Sequence, residues 1–80
     1  MNAQHRAIRA LLTTMSPRRA EDYIRSFCLP PEEELFLLEC DVRGLSYPQA
    51  SAKYSVSPET IKRRRRKAYN KIADEMQHKG

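Results

Sequence analysis

Cysteine is scarce in this chain. Cys28 and Cys40 are the two present, too few for a disulfide scaffold or a four-ligand zinc site, and two buried, reduced thiols in a cytoplasmic protein are expected. Long apolar runs are missing as well, so no stretch approaches a membrane span. No leader is visible at the start, where His5, Arg6 and Arg9 interrupt the apolar residues. There is no Ser/His/Asp or Cys/His constellation, and His5 and His78 lie near the two ends. An enzyme is therefore not expected, and no catalytic residue, metal ligand or cofactor is named. Neither a strand pattern nor an internal repeat is present.

What the chain has is charge, unevenly distributed. Its formal net charge is +5 over 80 residues. A chain this short buries only about 60% of its unfolded surface, so every apolar stripe is needed for the core. From Cys28 to Asp41 the ionisable residues include Glu32, Glu33, Glu34, Glu39 and Asp41 and no base. From Lys53 to Lys71 the bases Lys53, Lys62, Arg63, Arg64, Arg65, Arg66, Lys67 and Lys71 meet one acid, Glu59. Such segregation is an electrostatic footprint for an anionic partner.

Helical periodicity predicts an all-α bundle of about five helices. The first runs from about Ala3 to Thr14, with Ile8, Leu11, Leu12 and Met15 on one face, and Ser16-Pro17 restarts the chain as a cap with a first-turn proline. Ala20, Tyr23, Ile24 and Phe27 form the stripe of the second, which Leu29-Pro30-Pro31 should end. The third opens with three glutamates, favourable at the positive end of a helix dipole, and closes at Gly44. Its apolar residues fall on two sides, Leu35, Leu38 and Val42 opposite Phe36, Leu37 and Cys40, which predicts packing on both sides within one core. A short fourth helix spans about Tyr47–Tyr54, with Ala50 and Tyr54 inward. The fifth spans about Pro58–Met76 on a core stripe of Ile61, Ala68, Ile72 and Met76, with residues 77–80 frayed.

The most informative stretch is 44–66. It reads as a short helix capped by Ser46, a tight turn, and a long basic helix capped by Ser57 with Pro58 at its first position. That is the helix-turn-helix arrangement, in which the second helix enters the major groove of DNA. At 100° per residue, Glu59, Lys62, Arg63, Arg66 and Asn70 lie opposite Ile61, Ala68 and Ile72. Arg63 and Arg66 have the reach for guanine and Asn70 for adenine. Glu59 either accepts from a cytosine amino group or pairs with Arg63 at i,i+4. Thr60, Arg64, Lys67 and Lys71 sit on a flank suited to phosphates. Ser57, Gln49 and Tyr47, at helix starts, are further phosphate candidates, with Arg43 just ahead of them. Arg65 falls on the core stripe where leucine is expected. Either its stem covers the core edge while the guanidinium reaches out, or an acid between Glu32 and Asp41 receives it.

Leu29-Pro30-Pro31-Glu32, the apolar third helix, Gly44-Leu45-Ser46-Tyr47, Ala50, Val56-Ser57 and Thr60-Ile61-Lys62 resemble the promoter-recognition region (region 4) of bacterial sigma factors. The basic continuation Lys62–Lys67 with Ala68 and Ile72 is similar to small sigma-like phage regulators of the ArpU and RinA type. The likeness covers about Leu29–Met76. It implies Gln49 and Ser57 as DNA-backbone contacts and Glu59, Thr60, Lys62, Arg63 and Arg66 as the base-reading set. Ser51, Ser55 and Arg65 depart from it, standing where alanine, the turn glycine and an apolar residue are usual. A counterpart of the promoter-melting region of a sigma factor is absent from the sequence.

The expectation is one domain, 1–80, in which residues 1–28 brace or dimerise a region 4-like unit at 29–77. Its leading function is sequence-specific recognition of double-stranded DNA by a phage or prophage transcription regulator in the bacterial cytoplasm. Docking on RNA polymerase through the acidic third helix is the alternative of a different class. DNA recognition for a phage packaging machine is a third. Double-stranded DNA is the expected partner, RNA polymerase and a second copy of the chain are candidate partners, and a membrane is not expected.

Overall fold

The computed structural model describes residues 3–79, which form helices and no strand. The helices are α1 (Ala3–Thr14), α2 (Pro17–Arg25), α3 (Pro31–Leu37), α4 (Tyr47–Tyr54) and α5 (Pro58–Lys79). α3 continues directly into a π-helical segment, Leu38–Val42. None of these helices is long and apolar enough to cross a membrane.

Side-chain chemistry sets most of the helix starts. Ser16 accepts from the Arg19 amide at 3.3 Å ahead of Pro17. Ser46 and Gln49 form a reciprocal capping box, each side chain bonded to the other's backbone N–H at 3.2 and 2.9 Å. Ser57 accepts from the Thr60 amide at 3.2 Å ahead of Pro58. Left-handed residues set three of the ends. α2 stops at Arg25, before the prolines expected to end it, because Cys28 takes φ +53° and its amide bonds back to the Arg25 carbonyl at 3.1 Å. Gly44, at φ +75°, closes the π segment. There Leu45 N–H bonds to the Glu39 carbonyl at 2.9 Å, one residue further back than an ordinary Schellman cap reaches, as the wider π turn requires.

The α4–α5 turn is built by the two serines that depart from the sigma pattern. Ser55 adopts φ +56°, ψ +40°, the left-handed conformation glycine would take there. Ser51 donates to the Val56 carbonyl at 2.5 Å, tying α4 to the residue beyond the turn.

α3 and its π extension pack on both sides, as expected, but with two clusters rather than one continuous core. Ile8, Leu12, Ala20, Ile24, Leu29, Leu37, Leu38, Ala68, Tyr69, Ile72 and Ala73 make the larger. Phe36, Ala50 and Ile61, with Leu35, Cys40, Tyr47, Tyr54 and Val56 against them, make the smaller. The seam is rotated from the expected one: Leu37 joins Leu38 and Val42, while Leu35 joins Phe36 and Cys40. α5 supplies residues to both clusters. Leu11 and Met76, expected inside, are exposed, and Tyr69 and Ala73 take the inner positions on α5 instead of Met76. α5 is helical through Lys79, so the fraying expected at 77–79 is not seen; Gly80 lies outside the described residues. The thiols are free but not both buried: Cys28 is exposed, and Cys40 is half-buried with its pKa pushed up by that burial.

Ser55 carries a conformational cost of roughly 1 kcal/mol that glycine would not. Ser55→Gly should leave the urea midpoint unchanged or raise it, while Ser55→Val should lower stability by about 1–2 kcal/mol. Equal stability of the two variants would contradict the turn described here.

Candidate nucleic-acid interface

Residues two apart in a helix point to nearly opposite sides, and the segment Leu38–Val42 uses this with two carboxylates. Glu39 is fully buried and faces α4. Its oxygens accept from Lys53 Nζ at 2.9 Å, from the Tyr54 hydroxyl at 2.8 Å and from the Arg43 guanidinium. Burial pushes the Glu39 carboxyl up, but the bonds from Lys53, Arg43 and Tyr54 outweigh it and hold the pKa at about 2.

Asp41 points the other way, to α5. It binds Arg65 bidentately, Oδ2 to Nε at 2.9 Å and Oδ1 to Nη2 at 2.5 Å. Arg65 also donates to the hydroxyls of Tyr47 at 2.7 Å and Tyr69 at 3.1 Å, and lies over both rings, 5.8 and 5.1 Å from their centroids. The Tyr69 hydroxyl donates in turn to Asp41. Of the two sequence readings of Arg65, the acidic partner is the one the structure holds. Burial lowers the tendency of Arg65 to carry charge, and the paired Asp41 carboxylate more than reverses that. Tyr69 is raised by burial and by the same carboxylate.

Two more pairs cross from α3 to α5, Arg64 Nε to Glu32 at 3.1 Å and Lys71 Nζ to Glu33 at 3.0 Å. They pair Arg64 and Lys71, on the flank expected to meet phosphates, with carboxylates of α3. The carboxylates of α3 lie within reach, and a phosphate would have to displace them. Glu33 is itself buried, so the acidic helix faces α5 as much as solvent.

With those bases matched, Lys62, Arg63, Arg66 and Lys67 remain. All four are exposed and have no ion-pair partner among the described residues. Glu59 lies exposed beside them without the expected ion pair to Arg63. Thr60 is half-buried, its hydroxyl bonded to that of Ser57 at 2.9 Å, so both belong to the helix cap. Gln49 is exposed, but its side-chain oxygen holds the Ser46 amide. Asn70 is exposed, and its Oδ1 is 2.7 Å from His5 Nε2. His5 in turn stacks on Tyr69, with ring centroids 5.2 Å apart. α1 therefore packs where the sequence reading placed the far end of the DNA face.

Among the described residues, no group of three or more His, Cys, Asp and Glu is placed to hold a metal ion. No family model, curated protein or solved structure matches the chain.

Two outcomes follow from the paired carboxylates. Glu39 has a folded pKa of about 2 against 4.5 in the absence of partners. The unfolded state takes up its proton first, so this stabilisation is complete above pH 4.5 and lost as the pH falls from there toward 2. Urea midpoints should decline through that window; constancy down to pH 3 would contradict the arrangement. Asp41→Asn leaves a buried guanidinium without its charge partner, at a cost of about 3–5 kcal/mol. Much of that should return in Asp41→Leu combined with Arg65→Met, which removes both charges, and urea denaturation of the two proteins measures the difference.

Proposed function

We propose that the chain is a sequence-specific double-stranded DNA-binding transcription regulator that presents the first half of α5 to the major groove. The observation that carries this reading is the sorting of bases on one helix. Arg64, Arg65 and Lys71 are matched by acids of α3 and its π extension, whereas Lys62, Arg63, Arg66 and Lys67 are exposed and unmatched. Like charges crowded on one helix face repel each other unless an anion lies against them, and a polyphosphate backbone supplies it. The capped α4, the short turn and the capped α5 agree with a helix-turn-helix, and the resemblance to sigma region 4 and to small phage regulators points to promoter DNA. Arg63 and Arg66 are the base readers of this proposal, with Lys62 beside them. Lys67 and the cap residues Ser57 and Thr60 lie where phosphates pass.

Docking on RNA polymerase through the acidic third helix has less to stand on. Glu33, Glu39 and Asp41 are buried or nearly so and already engaged with Lys71, with Lys53 and Arg43, and with Arg65.

Replacing Arg63 and Arg66 together with alanine should abolish discrimination between a preferred duplex and a scrambled one, measured by fluorescence anisotropy, without altering the thermal melt. Retained discrimination would contradict the proposal. With roughly four to six phosphates neutralised, the log–log dependence of the wild-type binding constant on salt should have a slope of about −4 to −5.

A further inference from the structure

The exposed basic row of α5 does not end at the edge of its helix. It continues into a cleft of about 370 Å³ whose walls include Lys62, Arg66, Arg65, Tyr47 and His5. A second hollow, of about 490 Å³, adjoins it through the shared residues Tyr47 and Arg65, and Arg9 of α1 stands on its wall. No carboxylate of the described residues lines either hollow. Asp41 lies on the far side of the Arg65 guanidinium and neutralises that charge. The cationic character of the cleft therefore comes from Lys62, Arg66 and Arg9, none of which has an ion-pair partner among the described residues.

The two tyrosines at this site are not equivalent. The Tyr69 hydroxyl gives its proton to Asp41. The Tyr47 hydroxyl accepts from Arg65 Nη1 at 2.7 Å, and its own proton has no acceptor among the described residues. A phenol polarised by a guanidinium, with its proton unassigned and cations on both sides, is a donor suited to an anionic oxygen.

We infer that the cleft between α1, the start of α4 and α5 seats a backbone phosphate of the bound duplex, held by the Tyr47 hydroxyl and by Arg9 and Lys62. The inference rests on the DNA-binding reading above and extends it. α1, which sequence suggested only as a brace or a dimer contact, becomes part of the DNA footprint through Arg9. The occupant is a phosphate of the same DNA that α5 reads, because the cleft opens from the exposed row at Lys62 and Arg66 without a break.

The test compares full-length wild-type protein with Arg9→Ala, Tyr47→Phe and Arg18→Ala. Arg18 is an exposed arginine of α2 outside both hollows and serves as the charge-matched control. Binding to a preferred and a scrambled duplex is followed by anisotropy across a salt series, with thermal melts recorded alongside. Arg9→Ala should weaken binding to both duplexes by a similar factor, about 3–10-fold, and make the salt slope shallower by about 1. Tyr47→Phe, which removes a neutral donor, should weaken both by a few-fold with the slope unchanged. Arg18→Ala should change neither. Equal losses in the two arginine variants, or none in Arg9→Ala and Tyr47→Phe, would overturn the phosphate seat and leave the proposed function standing. Failure of the wild-type chain to bind duplex DNA would overturn both.

Discussion

The buried pair between Asp41 and Arg65 sets the geometry on which the rest of the molecule depends. A long helix with polar residues around most of its circumference could pack at several rotations about its own axis. One bidentate ion pair, with two tyrosine hydroxyls taking two more of the guanidinium's N–H groups, selects a single one. With Arg65 turned inward, helical spacing places Arg63 about 160° and Arg66 about 100° round the axis from it, and so away from the core. A buried ion pair is a weak source of net stability compared with a well-packed apolar replacement. Its contribution here is orientation.

The same principle of matched and unmatched charge runs through the C-terminal half. Each carboxylate of the segment 32–41 that forms an ion pair finds a base on α4, on α5 or at Arg43. The strongly acidic stretch therefore acts as an internal counter-ion layer, and the excess basic charge is left on one side of α5. Glu39 and Asp41, two residues apart, hold α4 and α5 from opposite sides of one π-helical turn. The positions of the two helices that the proposed DNA face depends on are thus fixed by acids that never meet the solvent as free charges.

The elements bounded by side-chain chemistry were legible in the sequence. Ser16-Pro17, Ser46 with Gln49, and Ser57-Pro58 cap helices through local hydrogen bonds that need no tertiary context, and α1 and α4 have the bounds their periodicity indicates. Features set by long-range packing were not. The π turn has no compositional mark in Leu38–Val42, although two acids among Leu37, Leu38, Cys40 and Val42 could have warned that both would need buried partners. Asn70 lies on the outward arc of α5 and is exposed there, and only the approach of α1 brings His5 to its side-chain oxygen. Leu11 and Met76 fit their stripes by spacing yet lie where neither helix is covered. Of the proposed site, the four unmatched bases were on the page from the outset. Which of their neighbours would be neutralised was not, since the acids that do so lie 24 to 38 residues away in the chain.

The central claim is that the unmatched face of α5 reads the sequence of a DNA duplex. Enrichment of a random duplex library by the purified chain at near-physiological salt tests it most directly. The account predicts a defined motif, with its most constrained positions within the few base pairs that one helix can cover. Salt-sensitive retention of all duplexes with no motif would contradict it, reducing the basic row to a general polyanion surface whose specificity must come from elsewhere.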